Sequence, residues 1–247
     1  MLILAIETST NTASIALWQT SKDEELSPAQ RNIIGELTLN LCGNHSATLM
    51  PGIDHLLRET KLHIHQVEGI ALGLGPGSFT GLRIGVTTVK GLAYALRVPV
   101  VGVSTLDVLA QNVSYAGKLV CPVLDARKNE VYAALYRGDG SGCLTKIGAD
   151  MVIAPDELSK RIEEEVIFLG NGVEVYREIW QKQLGSKAIF AQPEFSQPRA
   201  VHVARLSQPK FHQGQFLDLF SFGPVYLRRS EAEVNWELKK GEVKKQF

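Results

Sequence analysis

Glu7 ends an apolar run, LILAIE, and is followed at once by three hydroxyls, Thr8, Ser9 and Thr10. Asp125 ends a second run, KLVCPVLD, before the polar turn ARKNE. A carboxylate beside hydroxyls can line a phosphate site, and two carboxylates across a cleft can hold magnesium through water. The competing reading makes both acids anchors of their own turns. A third candidate is the glycine-rich stretch GIALGLGPGSFTGLRIG at 69–85. Free amides at a glycine-rich helix start can bind an anion; alternatively Gly75, Pro76 and Gly77 turn the chain so that the helix packs closely. No Gly-Lys-Ser or Gly-Lys-Thr closes this loop, Lys90 lies well down the helix, and glycines at 73, 75, 77 and 81 do not fit a dinucleotide fingerprint.

The elements that must position these residues follow from periodicity. LILAIE and ASIALW predict a strand pair with a polar tip, and NIIGELTLNL predicts a further strand. Ser46 caps a helix through about residue 61, with Leu49, Ile53, Leu56 and Leu57 on one face. After the strand VEGIALGL, a helix over 79–97 carries Leu82, Val86, Val89, Ala93 and Leu96 on one stripe. A second stripe holds Gly81, Gly85, Thr88 and Ala95, small residues that let another backbone approach. VPVVGVS predicts a short buried strand, and helices are expected near 105–116, 155–165, 174–184 and 199–206. KLVCPVLD and VYAALY repeat the opening hairpin, EVIFLGNGV is a strand breaking into Gly170-Asn171-Gly172, and GPVYLRR is strand-like.

The bulk composition narrows the classes. The chain has 247 residues, 45% apolar and 21% charged, as ordinary folded proteins do. Lys+Arg and Asp+Glu both number 26, so any contact with nucleic acid or an anionic membrane must be local. The apolar start is too short and lacks the basic flank of a signal peptide, and no stretch reaches membrane-spanning length; a cytoplasmic protein is expected. Cys42, Cys121 and Cys143 have neither metal-ligand spacing nor a paired framework and read as reduced and structural.

Two similar halves, each opening with a hairpin whose tip is acidic, predict an α/β fold of two actin-like (ribonuclease H-like) domains. This is the superfold of actin, sugar kinases and heat-shock ATPases, with a cleft between the domains. The expected division is 1–104 and 105–247, with the last segment packing back on the first domain. In such folds the hairpin tips hold phosphates and a glycine turn lies near the adenosine. A nucleotide cleft would here use Glu7, Thr8, Ser9, Thr10, Asp125, Gly170 and Gly172.

The segment GLGPGSFTGLRIGVTTVKGLAYAL is very similar to the signature of the bacterial tRNA threonylcarbamoyladenosine biosynthesis family TsaB, also called YeaZ. The resemblance continues through LAIETSTNTASIAL, HSATLMPGIDHLL, VVGVSTLDVLA, VLDARKNEVYAALY, LGNGV and PVYLRRSEAE, nearly the whole chain. Residues 20–31 read as a loop of variable length, and Ala47 stands where the family carries an acid. The resemblance implies a subunit acting with a paralogous catalytic metal-binding subunit of the TsaD type and a small ATPase of the TsaE type. Together they transfer a threonylcarbamoyl group to N6 of the adenosine beside the anticodon, in tRNAs reading codons that start with A. It also implies a homodimer, and contact with tRNA through the complex.

In the catalytic paralogue, two histidines at i and i+4 on a helix hold a metal just after the segment matching VVGVS. Here Thr105 and Leu109 stand in those places, so neither a metal centre nor a catalytic residue is expected. His63 and His65 read as surface residues and His45 as a helix-start residue; His55, His202 and His212 form no constellation. No Gly-x-Ser-x-Gly elbow or Cys/His pair supports a hydrolase. The expected function is a non-catalytic activating subunit, the alternative an independent actin-like ATPase or small-molecule kinase. No tightly bound cofactor is expected, and at most weak affinity for ATP or ADP with magnesium, in the subunit or the complex. The resemblance places the partner face on helices 46–61 and 79–97, through Leu49, Ile53, Gly77, Thr80, Gly81, Gly85 and Thr88. Burial of Leu49, Ile53 and Leu56 in the domain's own core is the competing reading. The basic tail LKKGEVKK, preceded by Arg228 and Arg229, reads either as a tRNA phosphate contact or as a solvated end.

Overall fold

β1 (Leu2–Glu7) alternates its side chains between two apolar layers, Leu2, Leu4 and Ile6 on one face and Ile3 and Ala5 on the other. A strand buried on both faces belongs at the centre of a sheet, and β1 lies there. It pairs antiparallel with β2 (Thr12–Gln19) and parallel with β4 (Gly69–Gly73). β3 (Asn32–Asn40) and β5 (Val100–Val103) complete the order β3-β2-β1-β4-β5. The computed structural model describes residues 1–20, 32–40 and 45–228. Cys42, residues 21–31 of the variable loop, Arg229 and the basic tail lie outside the described residues.

The second half repeats this plan. β6 (Leu119–Asp125) pairs antiparallel with β7 (Val131–Gly138) and parallel with β9 (Val166–Leu169). β8 (Leu144–Ile153) and β10 (Ala188–Phe190) are its edges, giving β8-β7-β6-β9-β10. In chain order the two sheets are the same sheet, and the fold is the doubled actin-like one expected. β8 and β10 were not expected from the sequence. GPVYLRR forms no strand, and residues 213–228 run as an irregular strap.

Helices cover both faces of each sheet. α1 (His45–Glu59) and α2 (Phe79–Leu96) bury Leu49, Ile53, Val86 and Val89 against Leu4, Ile6, Leu17 and Leu72. α4 (Pro155–Ser159) and α5 (Gly172–Leu184) do the same on the second sheet, around Phe168 and Trp180. The inner faces are covered by exchange. α3 (Thr105–Ala110), which follows the first sheet, sends Leu106, Leu109 and Ala110 into the second. α6 (Ala200–His212), which follows the second, packs Ala200, Val203, Ala204 and Phe211 on Ile3, Ala5, Ala16 and Trp18 of the first. Among the described residues no helix is long and apolar enough to cross a membrane.

Candidate functional site

The hairpin tip of the first half is matched, residue by residue, to glycines. Glu7 lies over Gly73 so closely that a Cβ there would come within 1.9 Å of its Oε2. A Cβ on Gly81 would meet Thr8 O at 2.0 Å, one on Gly85 would meet Thr8 Oγ1 at 2.4 Å, and one on Gly77 would meet Ser9 O at 2.3 Å. Hydrogen bonds fix the same fit: Thr8 Oγ1 donates to Gly81 O at 2.9 Å, and the Ser78 amide to Ser9 O at 2.6 Å. Gly75 takes the left-handed conformation, φ +106°, that lets its carbonyl accept from the Thr105 amide at 2.8 Å. Ser78 caps α2 through the Gly81 amide.

This geometry corrects two expectations. Thr8 and Glu7 are fully buried, Ser9 and Thr10 nearly so, so the tip offers no open phosphate cradle. The glycine stripe of α2 also faces inward: Gly81 and Gly85 are buried against Thr8, and Leu49 and Ile53 are 1% exposed in the core. These four residues cannot form a partner face as expected; Gly77 is half-buried against Ser9, Thr80 is exposed and Thr88 half-buried. Small residues do mark a close approach here, but the neighbour is the chain's own hairpin.

Amide and hydroxyl donors hold Glu7. Its Oε1 accepts from the Ser9 amide at 2.7 Å, and Thr105 Oγ1 lies 3.4 Å from its Oε2. Burial pushes its carboxyl above the ordinary value, against the opposing effect of these hydrogen bonds. Behind the tip, His45 Nε2 donates to Thr10 O at 2.8 Å, so this histidine does more than begin a helix.

Asp125 belongs to a separate cluster. Its amide donates to Asn171 Oδ1 at 3.0 Å, and its carboxylate accepts from the Arg127 amide at 2.8 Å and the Tyr176 hydroxyl at 3.4 Å. Gly170, φ +106°, brings the second glycine turn onto Val123 O, where a Cβ would come within 2.2 Å; Gly172 packs on the same strand end. Each acid therefore anchors the turn of its own half, the competing reading of the sequence.

The positions where the resemblance placed metal-binding histidines are buried and carry the wrong donors. Thr105 turns toward Glu7, and Leu109 sits among Ala110, Val120 and Leu169. Among the described residues no group of three or more His, Cys, Asp or Glu is arranged to hold a metal. A network the sequence reading missed surrounds α3. Asp107 accepts from Tyr136 OH at 2.5 Å and from Lys146 Nζ at 2.6 Å, and Ser104 Oγ donates to Asp150 at 2.8 Å. Lys146 also pairs with Asp150 at 2.5 Å. The signal lay in charged residues of β8, inside an otherwise strand-like run.

The family model described as "TsaD: tRNA N6-adenosine threonylcarbamoyltransferase" matches residues 40–236. The tRNA threonylcarbamoyladenosine biosynthesis protein TsaB of Bacillus subtilis (strain 168) is 34% identical over 239 residues, spanning 96% of this chain and 98% of that protein. TsaB of Escherichia coli (strain K12) is 29% identical over 240 residues, spanning 94% and 96%. The solved structure of YeaZ from Pseudomonas aeruginosa superposes with a TM-score of 0.73 at 28% identity, covering 92% of this chain and 99% of that one. With end-to-end coverage, and with two sheets of one repeated topology, the chain belongs to the family that the transferase model describes and, within it, to the TsaB proteins.

Proposed function

We propose that this chain is a non-catalytic, activating subunit in the synthesis of threonylcarbamoyladenosine in tRNA. It works with the paralogous metal-binding transferase and a small ATPase, and pairs with a second copy of itself. The observation that carries the reading is the pair Thr105 and Leu109. Threonine is a poor metal ligand and leucine is none, and both side chains are committed to the protein interior. The enclosed tip at Glu7 to Thr10 supports the same conclusion for nucleotide, leaving at most weak ATP or ADP binding with magnesium in the assembled complex. The partner face is the surface that α1 and α2 keep after core packing: Ala47 and Met50 on one, Thr80, Thr87 and Gly91 on the other.

Reconstitution tests this. Purified transferase subunit, ATPase subunit, ATP, tRNA and a threonylcarbamoyl adenylate donor, which releases AMP on transfer, should give little modified adenosine until the chain is added. Met50→Glu with Thr87→Arg should abolish co-elution with the transferase without lowering the melting temperature of the isolated chain. Tight magnesium-ATP binding with turnover by the chain alone would overturn the proposal.

A further inference from the structure

Seven aromatic residues are exposed among the described residues, and all but Tyr115 and Phe195 lie on α2 or on the segment that follows α6. Phe79, Tyr94, Phe216, Phe220 and Tyr226 all belong to α2 or to the strap over 213–228. The strap leaves α6 and pairs Leu217 N with Val100 O of β5 at 2.9 Å. It then packs Leu219 and Phe222 on the first core and bonds Val225 N to Leu74 O at 2.8 Å. Arg228 donates to Ala126 O at 3.1 Å and Glu130 Oε2 at 3.2 Å.

Along α2 the positions next to the strap follow one helical stripe: Phe79, Arg83, Lys90, Tyr94 and the C-cap Arg97. The cations are seven residues apart, about 10 Å along the axis. No acid occurs from Phe79 to Arg97, and Asp218 is the single acid from Gln213 to Arg228. The side chains are preorganised. The Arg83 guanidinium lies 3.8 Å from the Phe79 ring centre and donates to Tyr226 OH at 3.2 Å, while Phe79 and Tyr226 stack at 5.0 Å. Lys90 Nζ donates to Phe220 O at 3.1 Å. At the far end a cleft of about 530 Å3 opens between helix and strap, lined by Ala93, Tyr94, Arg97, Leu219 and Phe220. Tyr94 is 69% and Phe220 79% exposed.

We infer that this stripe is a binding face for a single-stranded RNA loop, and that the cleft between Tyr94 and Phe220 takes one unstacked base, with Arg97 at the adjoining phosphate. Alternating rings and cations without acids match a strand that alternates bases and phosphates. An apolar partner helix laid here would instead strip water from Arg83, Lys90 and Arg97 without supplying counter-charges. The choice of RNA over another stacking ligand rests on the proposed function.

The test uses the full chain and two fluorescein-labelled RNAs, a hairpin with an unpaired loop and a fully paired duplex. Fluorescence anisotropy should show the hairpin binding more tightly than the duplex. Tyr94→Ala and Phe220→Ala should each weaken hairpin binding about tenfold. Arg97→Gln should lower the slope of log affinity against log salt by roughly 0.7. All three side chains are exposed, so unchanged melting temperatures verify folding. Absence of hairpin binding, equal binding by the variants, or variants that lose the transferase subunit while keeping RNA overturns the inference. The reconstituted modification assay separates the two claims: a chain that binds loop RNA through Tyr94 and Phe220 yet fails to activate refutes the proposed function alone.

Discussion

Thr8 and Gly81 hold each other across the gap between the first hairpin and α2: Thr8 Oγ1 donates to Gly81 O at 2.9 Å, and a methyl on Gly81 would meet Thr8 O at 2.0 Å. The neighbour is backbone of the hairpin tip at the end of the central strand, which cannot swing away as a flexible side chain would.

Gly81→Ala should therefore cost about 3 kcal/mol by overpacking. Gly91→Ala on the same helix meets open space and should stabilise by about 1 kcal/mol through helix propensity. Urea denaturation of the two variants should show opposite signs; equal effects would refute the packing argument. A bulky residue at Gly85 would likewise abolish complex formation by unfolding the chain, so it does not test the partner face.

Glu7→Gln tests the buried acid. Below the ordinary carboxyl value of 4.5, Glu7 is protonated in both folded and unfolded chains. As pH rises above it the unfolded chain releases the proton while burial makes the folded chain retain it, so stability falls through the window up to the raised folded value. Glutamine can accept from the Ser9 amide and donate to Thr105 Oγ1 without ionising. The variant should match or exceed the wild-type melting temperature at pH 8 and lose that advantage near pH 4. A variant less stable than the wild type at pH 8 would overturn this account.

His202 on α6 produces the opposite slope. Among the described residues its buried Nδ1 has no hydrogen-bond partner, and burial, with Arg199 and Arg205 nearby, lowers its pKa from 6.5 to about 4. Stability from this group is complete above 6.5 and is lost as pH falls through 4, because the unfolded chain takes up a proton that the fold resists. His202→Leu should flatten this acid limb in calorimetric scans. An unchanged limb would assign it to other groups.

Histidines at both Thr105 and Leu109 should not create a metal centre. Leu109 is fully buried, and its Cδ2 lies 2.8 Å from where a Gly170 Cβ would be, so an imidazole there costs about 3 kcal/mol in unpaired polar burial. Plasma mass spectrometry after dialysis against zinc should find no retained metal. Stoichiometric zinc in a folded Thr105→His/Leu109→His variant would sink this account.

Much of the architecture was legible because it rests on local periodicity. β1, β2, β4 and α2 read correctly, since their signals, apolar runs bounded by polar turns and one helical stripe, are local. β8 was hidden because Lys146 and Asp150 interrupt it, and both are spent on the contact with Ser104 and Asp107. α6 runs to His212, beyond the expected 206, through Pro209, a residue that reads as a stop. The site was half legible. Gly81 and Gly85 announced a close approach, but periodicity along a helix cannot name a neighbour such as Thr8, distant in sequence and brought near by the parallel pairing of β1 and β4.

The exchange of α3 and α6 has a consequence for synthesis. The first sheet is complete once Val103 has been made, yet the helix that covers Ile3, Ala5, Ala16 and Trp18 begins only at Ala200. A nascent chain on the ribosome thus carries one bare apolar face through most of the translation of its second half. During that interval the growing chain is a natural client for a holding chaperone, a dependence that the finished protein conceals.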